Sequence, residues 1–127
     1  MPPEKLYEYA IIRLVPKVER GEFLNVGVLL YCRDAAFLDL VYHVDPQRIQ
    51  AFSPGGVDTV DLAAYLEAHR NICKGTSKSP IASLPIQERF RWLAATRSTI
   101  VQTSKVHLGF SLDPKETLSC LFEQQVL

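Results

Sequence analysis

The sequence predicts an α+β domain, an antiparallel β-meander with helices packed mainly on one face. Two apolar, β-branched segments flank the charged corner Pro16-Lys17-Val18-Glu19-Arg20-Gly21-Glu22, and a third follows after only Arg33-Asp34-Ala35-Ala36. Helical periods with recognisable caps then dominate from Asp45 onward. At 127 residues, 47% of them apolar, the chain suits one domain, 1–127, with one continuous core.

The first strand runs from Leu6 to Val15, where Ala10, Ile12 and Leu14 alternate with Tyr9, Ile11, Arg13 and Val15. Arg13 is the one charge within its stretch from Tyr9 to Val15. In the second strand strict alternation puts Leu24, Val26, Val28, Leu30 and Cys32 on an apolar face, and Phe23, Asn25, Gly27, Leu29 and Tyr31 on a mixed one. Phe37 to Val44 reads as the third strand. Asp45-Pro46 opens a short helix through Phe52, with Asp as N-cap and Pro in the first turn.

Val57 to Cys73 has helical period and ends near Lys74-Gly75, a glycine suited to a C-cap. The loop Thr76-Ser77-Lys78-Ser79-Pro80 follows. Pro85 and Glu88 start a further helix that turns Ile86, Phe90, Leu93 and Ala94 inward and ends near Arg97. Thr99–Gln102 and Lys105–Phe110 have strand composition, as two short strands or one bent one. Asp113-Pro114-Lys115-Glu116 caps a terminal helix with the apolar stripe Leu118, Leu121, Phe122 and Val126.

Lys plus Arg equal Asp plus Glu at 14 each, so the chain lacks the positive field on which non-specific nucleic-acid binding depends. Cys32, Cys73 and Cys120 are odd in number, widely spaced and in apolar contexts that read as core. No signal sequence or membrane-length apolar run is visible, so a cytoplasmic setting is expected. His43, His69 and His107 share no metal-ligand spacing, and no metal or cofactor is expected. Lys74-Gly75-Thr76-Ser77-Lys78-Ser79 follows a helix and carries one glycine, which fails the context of a phosphate loop.

Arg13 and Asn25 fall on adjacent strands, near neighbours if the hairpin closes around the corner. Together they can present several donors to a carboxylate, a phosphate or a peptide backbone; the plain alternative is an ion pair of Arg13 with Glu22 or Glu19. Gly27, inside an apolar strand, marks a bulge, a covering ring or a ligand. Arg89, Arg91, Arg97 and Lys105 surround Trp92, a set that suits nucleic acid or a phosphorylated ligand unless it is a solvated face.

The patterns Tyr7-x-Tyr9-x-x-x-Arg13-x-x-Pro16, Arg20-Gly21-Glu22-Phe23-x-Asn25-Val26-Gly27-Val28, Trp92-Leu93-x-Ala95-x-Arg97-Ser98 and Gly109-x-x-x-Asp113-Pro114 together resemble the small bacterial proteins of the domain of unknown function 3037 family. The resemblance covers nearly the whole chain. It implies bacterial origin, an accessory role beside HipA-type kinases, and a polar set of Arg13, Glu22, Asn25, Arg97 and Ser98. The expected function is a non-catalytic module that binds a protein partner such as a HipA-type kinase through the hairpin corner and the Arg97 region. The alternatives are a small enzyme or binder of a phosphate- or carboxylate-bearing metabolite, with Arg13, Asn25 and Arg97 as anchors and Glu22 as acid or base, and nucleic-acid binding through Arg89, Arg91, Arg97 and Trp92.

Overall fold

Ten residues, Lys5–Leu14, form the strand β1 around which the protein is built. The structure, a computed structural model, describes residues 3–76, 78–95 and 99–127. β1 pairs antiparallel with β2 (Leu24–Cys32), which pairs antiparallel with β3 (Phe37–Tyr42). Along its other edge β1 pairs first with β4 (Val101–Thr103) and then with β5 (His107–Ser111). Among the described residues the result is a five-stranded antiparallel sheet with four α-helices, an α+β fold.

The corner between β1 and β2 is a short 3₁₀ turn, Val18–Arg20, closed by Gly21 at φ 70°. Arg33–Ala35 forms a second such turn before β3. β3 ends at Tyr42 rather than Val44: the His43 amide turns back to the Val26 carbonyl at 2.8 Å.

Strict alternation fails in β2. Ile12 pairs with Gly27 but Arg13 pairs with Asn25, so Val26 is an extra residue on the β2 side. A one-residue slip exchanges the faces. Leu24 and Val26 therefore join Leu29 and Tyr31 in one core, while Val28, Leu30 and Cys32 belong to the core on the opposite face. Gly27 sits where a Cβ would come 2.8 Å from the Val41 carbonyl oxygen, which explains the glycine by the close approach of β3.

A second irregularity separates β4 from β5. Between the pairs Ile12–Thr103 and Tyr9–His107, two residues of β1 oppose three of the other strand. The Ser104 hydroxyl fills the gap by accepting from the Ile11 amide at 2.8 Å, while the Ser104 amide donates to the Ile11 carbonyl at 2.8 Å. Buried Ser104 thus keeps β1 hydrogen-bonded through the break.

Helices α1 (Pro46–Phe52), α2 (Thr59–Lys74) and α3 (Ile86–Leu93) supply Ile49, Leu62, Leu66, Phe90 and Leu93 to the core under Ile12, Leu14, Leu29 and Leu40. α4 (Pro114–Gln125) covers the other face with Leu118, Phe122 and Val126 against Ile11, Val28 and Leu30. Asp45, Asp58 and Asp113 cap α1, α2 and α4 through their side chains. α3 stops at Leu93, short of the Arg97 expected from its period.

Replacing Gly27 by alanine forces its new methyl against backbone rather than a movable side chain. Gly27→Ala is expected to lower unfolding stability by about 1–3 kcal/mol, read from the midpoint of urea denaturation. An unchanged midpoint contradicts the close approach.

Candidate functional site

The bulge at Val26 brings Asn25 onto the face of Arg13 and Ile11, beneath α4. Arg13 and Asn25 are direct cross-strand partners, and Gln102 of β4 is the partner of Arg13 on its other side. The Arg13 guanidinium lies 4.1 Å from the centre of the Phe23 ring, a cation–π contact. Asn25 donates from Nδ2 to the Gln125 carbonyl at 2.9 Å, satisfying one of the open carbonyls at the end of α4. Arg13 Nε and Asn25 Oδ1 are buried with no hydrogen-bond partner among the described residues.

Glu22 does not pair with Arg13. It is bound by Arg20 across the corner, and both line a cleft of about 250 Å³ with Pro16, Lys17, Phe52 and Ser53. Arg13 and Asn25 do not line that cleft. Arg97 and Ser98 lie outside the described residues.

The basic set around Trp92 is divided by hydrogen bonding. Arg89 donates from Nε to the Leu84 carbonyl at 3.0 Å, and from Nη1 to the Ile72 and Cys73 carbonyls at 3.0 and 2.8 Å. Its fork closes the C-terminal turn of α2, where open carbonyls and the helix dipole favour a cation. Gly75, at φ 70°, completes that cap by donating to Asn71 and Ile72. Trp92 is half-buried with its ring 5.6 Å from that of His69, while Arg91 is exposed.

A second opening toward solvent lies on the α2/α3 face of the sheet, beyond the reach of α3. Ten large apolar side chains are exposed among the described residues; Leu6 at 43%, Leu108 at 64% and Phe110 at 67% stand together there, and Val106 at 40% and Leu112 at 58% flank β5 on either side. Leu6 is the cross-strand partner of Phe110, and Glu8 that of Leu108. Four of the five alternate along β5 and its flanks, a sheet edge with no charged residue or proline from Val106 to Leu112. The opposite edge strand, β3, carries Asp39 with the Arg70 guanidinium 4.0 Å away.

Beside this strip Leu6 also lines a cleft of about 350 Å³ with Glu8, Tyr31, Arg33, Asp34, Gln87, Phe90 and Arg91. Buried Tyr31 and Phe90 stack with ring centres 5.1 Å apart. Glu8, Arg33, Asp34 and Arg91 rim the cleft without an ion pair among the described residues. Period-two alternation in β5 reads as a half-buried strand, so the sequence alone does not reveal which half stays open. The signal that could have found it is the apolar run 106–112 with no charge to guard an edge.

A family model described as protein of unknown function (DUF3037) matches residues 9–126. The chain belongs to that family. No curated protein and no solved structure matches it. The Tyr9–Asn25 hairpin, α3 and α4 fall within the matched span, whereas Leu6 lies just before it.

This member of the family keeps two of its thiols inside. Cys32 and Cys73 are buried, but Cys120 on α4 is exposed, contrary to its apolar sequence context. Burial, with the Asp39 carboxylate adding to it, pushes the Cys73 thiol from its ordinary 9.0 up to about 12. The hydrogen bond from Tyr42 to Glu67, at 2.7 Å, holds the Tyr42 phenol above its ordinary range. No group of three His, Cys, Asp or Glu side chains among the described residues is placed to hold a metal ion. No helix among them is long and apolar enough to cross a membrane.

Between about pH 9 and pH 12 the unfolded chain releases the Cys73 proton while the folded chain retains it. Stability from this residue therefore falls as pH rises through that window, by up to about 1.4 kcal/mol per pH unit. Urea titrations at several alkaline pH values are expected to show a shallower decline for Cys73→Ala; an identical slope contradicts the assignment. Arg89→Met leaves the Cys73 carbonyl without its Arg89 donor and the Ile72 carbonyl with the Gly75 amide alone, and is expected to cost about 1–3 kcal/mol. Thermal denaturation checks it, and a wild-type transition contradicts the latching role.

Proposed function

We propose that this chain is a non-catalytic binding module that recognises a protein partner through the open end of its sheet. The supporting observation is the apolar strip of Leu6, Leu108 and Phe110 beside a cleft with a stacked aromatic floor and four charged rim residues free of ion pairs among the described residues. An apolar centre that excludes water, ringed by polar groups that select the partner, is the makeup of a protein interface. Contiguous exposed apolar area carries a solubility cost that a binding role accounts for.

Arg33 and Arg91 offer planar donors to carboxylates or carbonyls of a partner, and Glu8 and Asp34 accept from its amides or cations. A HipA-type kinase is the partner class suggested by the family resemblance, and the reading does not depend on that choice. The hairpin corner serves the scaffold in this reading: Arg13 is covered by Phe23, Asn25 holds the end of α4, and Glu22 is bound by Arg20. Binding of an anionic metabolite at the corner has weaker support, because Glu22 offsets Arg20 in the cleft that Lys17 lines. Nucleic-acid binding is likewise less favoured, with Arg89 committed to carbonyls.

The tagged protein recovered from its native cells is expected to retain a companion protein. Leu6→Asp and the double variant Arg33→Glu/Arg91→Glu are expected to reduce that companion at least about tenfold, a loss of roughly 1.4 kcal/mol or more. Recovery without a companion, or equal retention by folded variants, contradicts the proposal.

A further inference from the structure

The outer edge of β5 carries a self-complementary sequence. From Lys105 to Asp113 it reads Lys-Val-His-Leu-Gly-Phe-Ser-Leu-Asp, a palindrome in chemical character centred on Gly109. Among the described residues β5 pairs with β1 alone, so its other row of amides and carbonyls faces outward.

We infer that β5 pairs with the β5 of a second copy of this chain, antiparallel about a two-fold axis at Gly109, joining the two sheets into one. In that register Leu108 lies opposite the partner copy's Phe110, and Phe110 opposite its Leu108. Residues opposite one another share a face, so these four side chains meet on the open face. His107 falls opposite Ser111 on the other face. At the flanks Val106 approaches Leu112, and the Lys105 ammonium approaches the Asp113 carboxylate, twice by symmetry. No like charges are opposed.

Several features of β5 fit this occupant. Leu108 and Phe110 are 64% and 67% exposed, more than any other large apolar side chain on the sheet. The face behind them is tied to β1 and α4: the Tyr7 ring lies against Gly109, and the Ser111 and Thr117 hydroxyls hydrogen-bond at 2.5 Å. Gly109 sits at the axis, and its lack of a side chain is explained by the Tyr7 ring, which a Cβ there would meet at 2.5 Å. Side-by-side pairing leaves the cleft lined by Tyr31 and Phe90 open in each copy, on the same side of the joined sheet. Leu108 and Phe110 serve both readings, whereas Leu6, Arg33 and Arg91 serve capture alone, so variants at the latter tell the two apart.

Sedimentation equilibrium of the full chain, at concentrations up to about 100 µM, is expected to give a species of twice the 14.3 kDa chain mass. Leu108→Lys and Phe110→Lys, both at exposed positions, are each expected to weaken the dimer at least about tenfold while the far-ultraviolet spectrum stays unchanged. In a Cys120→Ser background, oxidising a mixture of Leu108→Cys and Phe110→Cys chains is expected to give a disulfide-linked heterodimer, with neither variant linking to itself. A monomer throughout the range overturns the inference, as does a dimer indifferent to both lysine variants. Self-linkage of Leu108→Cys overturns the register. A monomer that still captures a companion sinks the dimer and spares the binding proposal; a dimer without a companion does the reverse.

Discussion

Everything in this fold depends on β1 being paired along both edges and covered on both faces. Its residues Ala10, Ile11, Ile12 and Leu14 are all buried, which leaves no polar side chain in the middle of the sheet until Arg13. A strand in that position transmits its register to every neighbour. The extra residue at Val26 decides which β2 side chains meet α2 and which meet α4, and the break at Ser104 sets the same choice for β4 and β5. Asn25 reaches the last turn of α4 because of the first of these shifts.

The distribution of helices then determines what is left open. α1, α2 and α3 cover the central and β3-proximal part of one face, and α4 crosses the other from β1 to β3. Cover on the first face ends near Phe90, so Leu6, Leu108 and Phe110 project beyond it. The same ending creates the cleft over Tyr31 and Phe90. Polar residues of the corner, by contrast, are partly absorbed: a guanidinium by a ring, an amide by a helix end, a carboxylate by an arginine, with Arg13 Nε and Asn25 Oδ1 left unpartnered among the described residues. Specific-looking sequence in a small domain can thus serve a corner.

Strand and helix identities were legible because their signals are local. The Asp-Pro pairs at 45–46 and 113–114 start α1 and α4 where capping chemistry requires, and Gly75 ends α2 in the left-handed conformation. The pairing of Arg13 with Asn25 also followed from the hairpin. Facing was less legible. A bulge is a property of two strands together, so no reading of β2 alone separates Val26 from Val28. Nor does the Arg89 pattern reveal that three carbonyls from two segments converge on it. Exposure of β5 depends on where α3 lies across the sheet: its cover reaches Phe90 on the side of Leu6, while its end runs to β4, where Thr103 donates to the Ala94 carbonyl.

The central claim is that β5 is an edge kept open for association. Hydrogen–deuterium exchange at low and high protein concentration tests it directly, because self-pairing protects outward amides only when copies meet. The account predicts that peptides spanning 106–112 exchange more slowly at high concentration while those spanning β3 do not change. Equal exchange of 106–112 at both concentrations would contradict it.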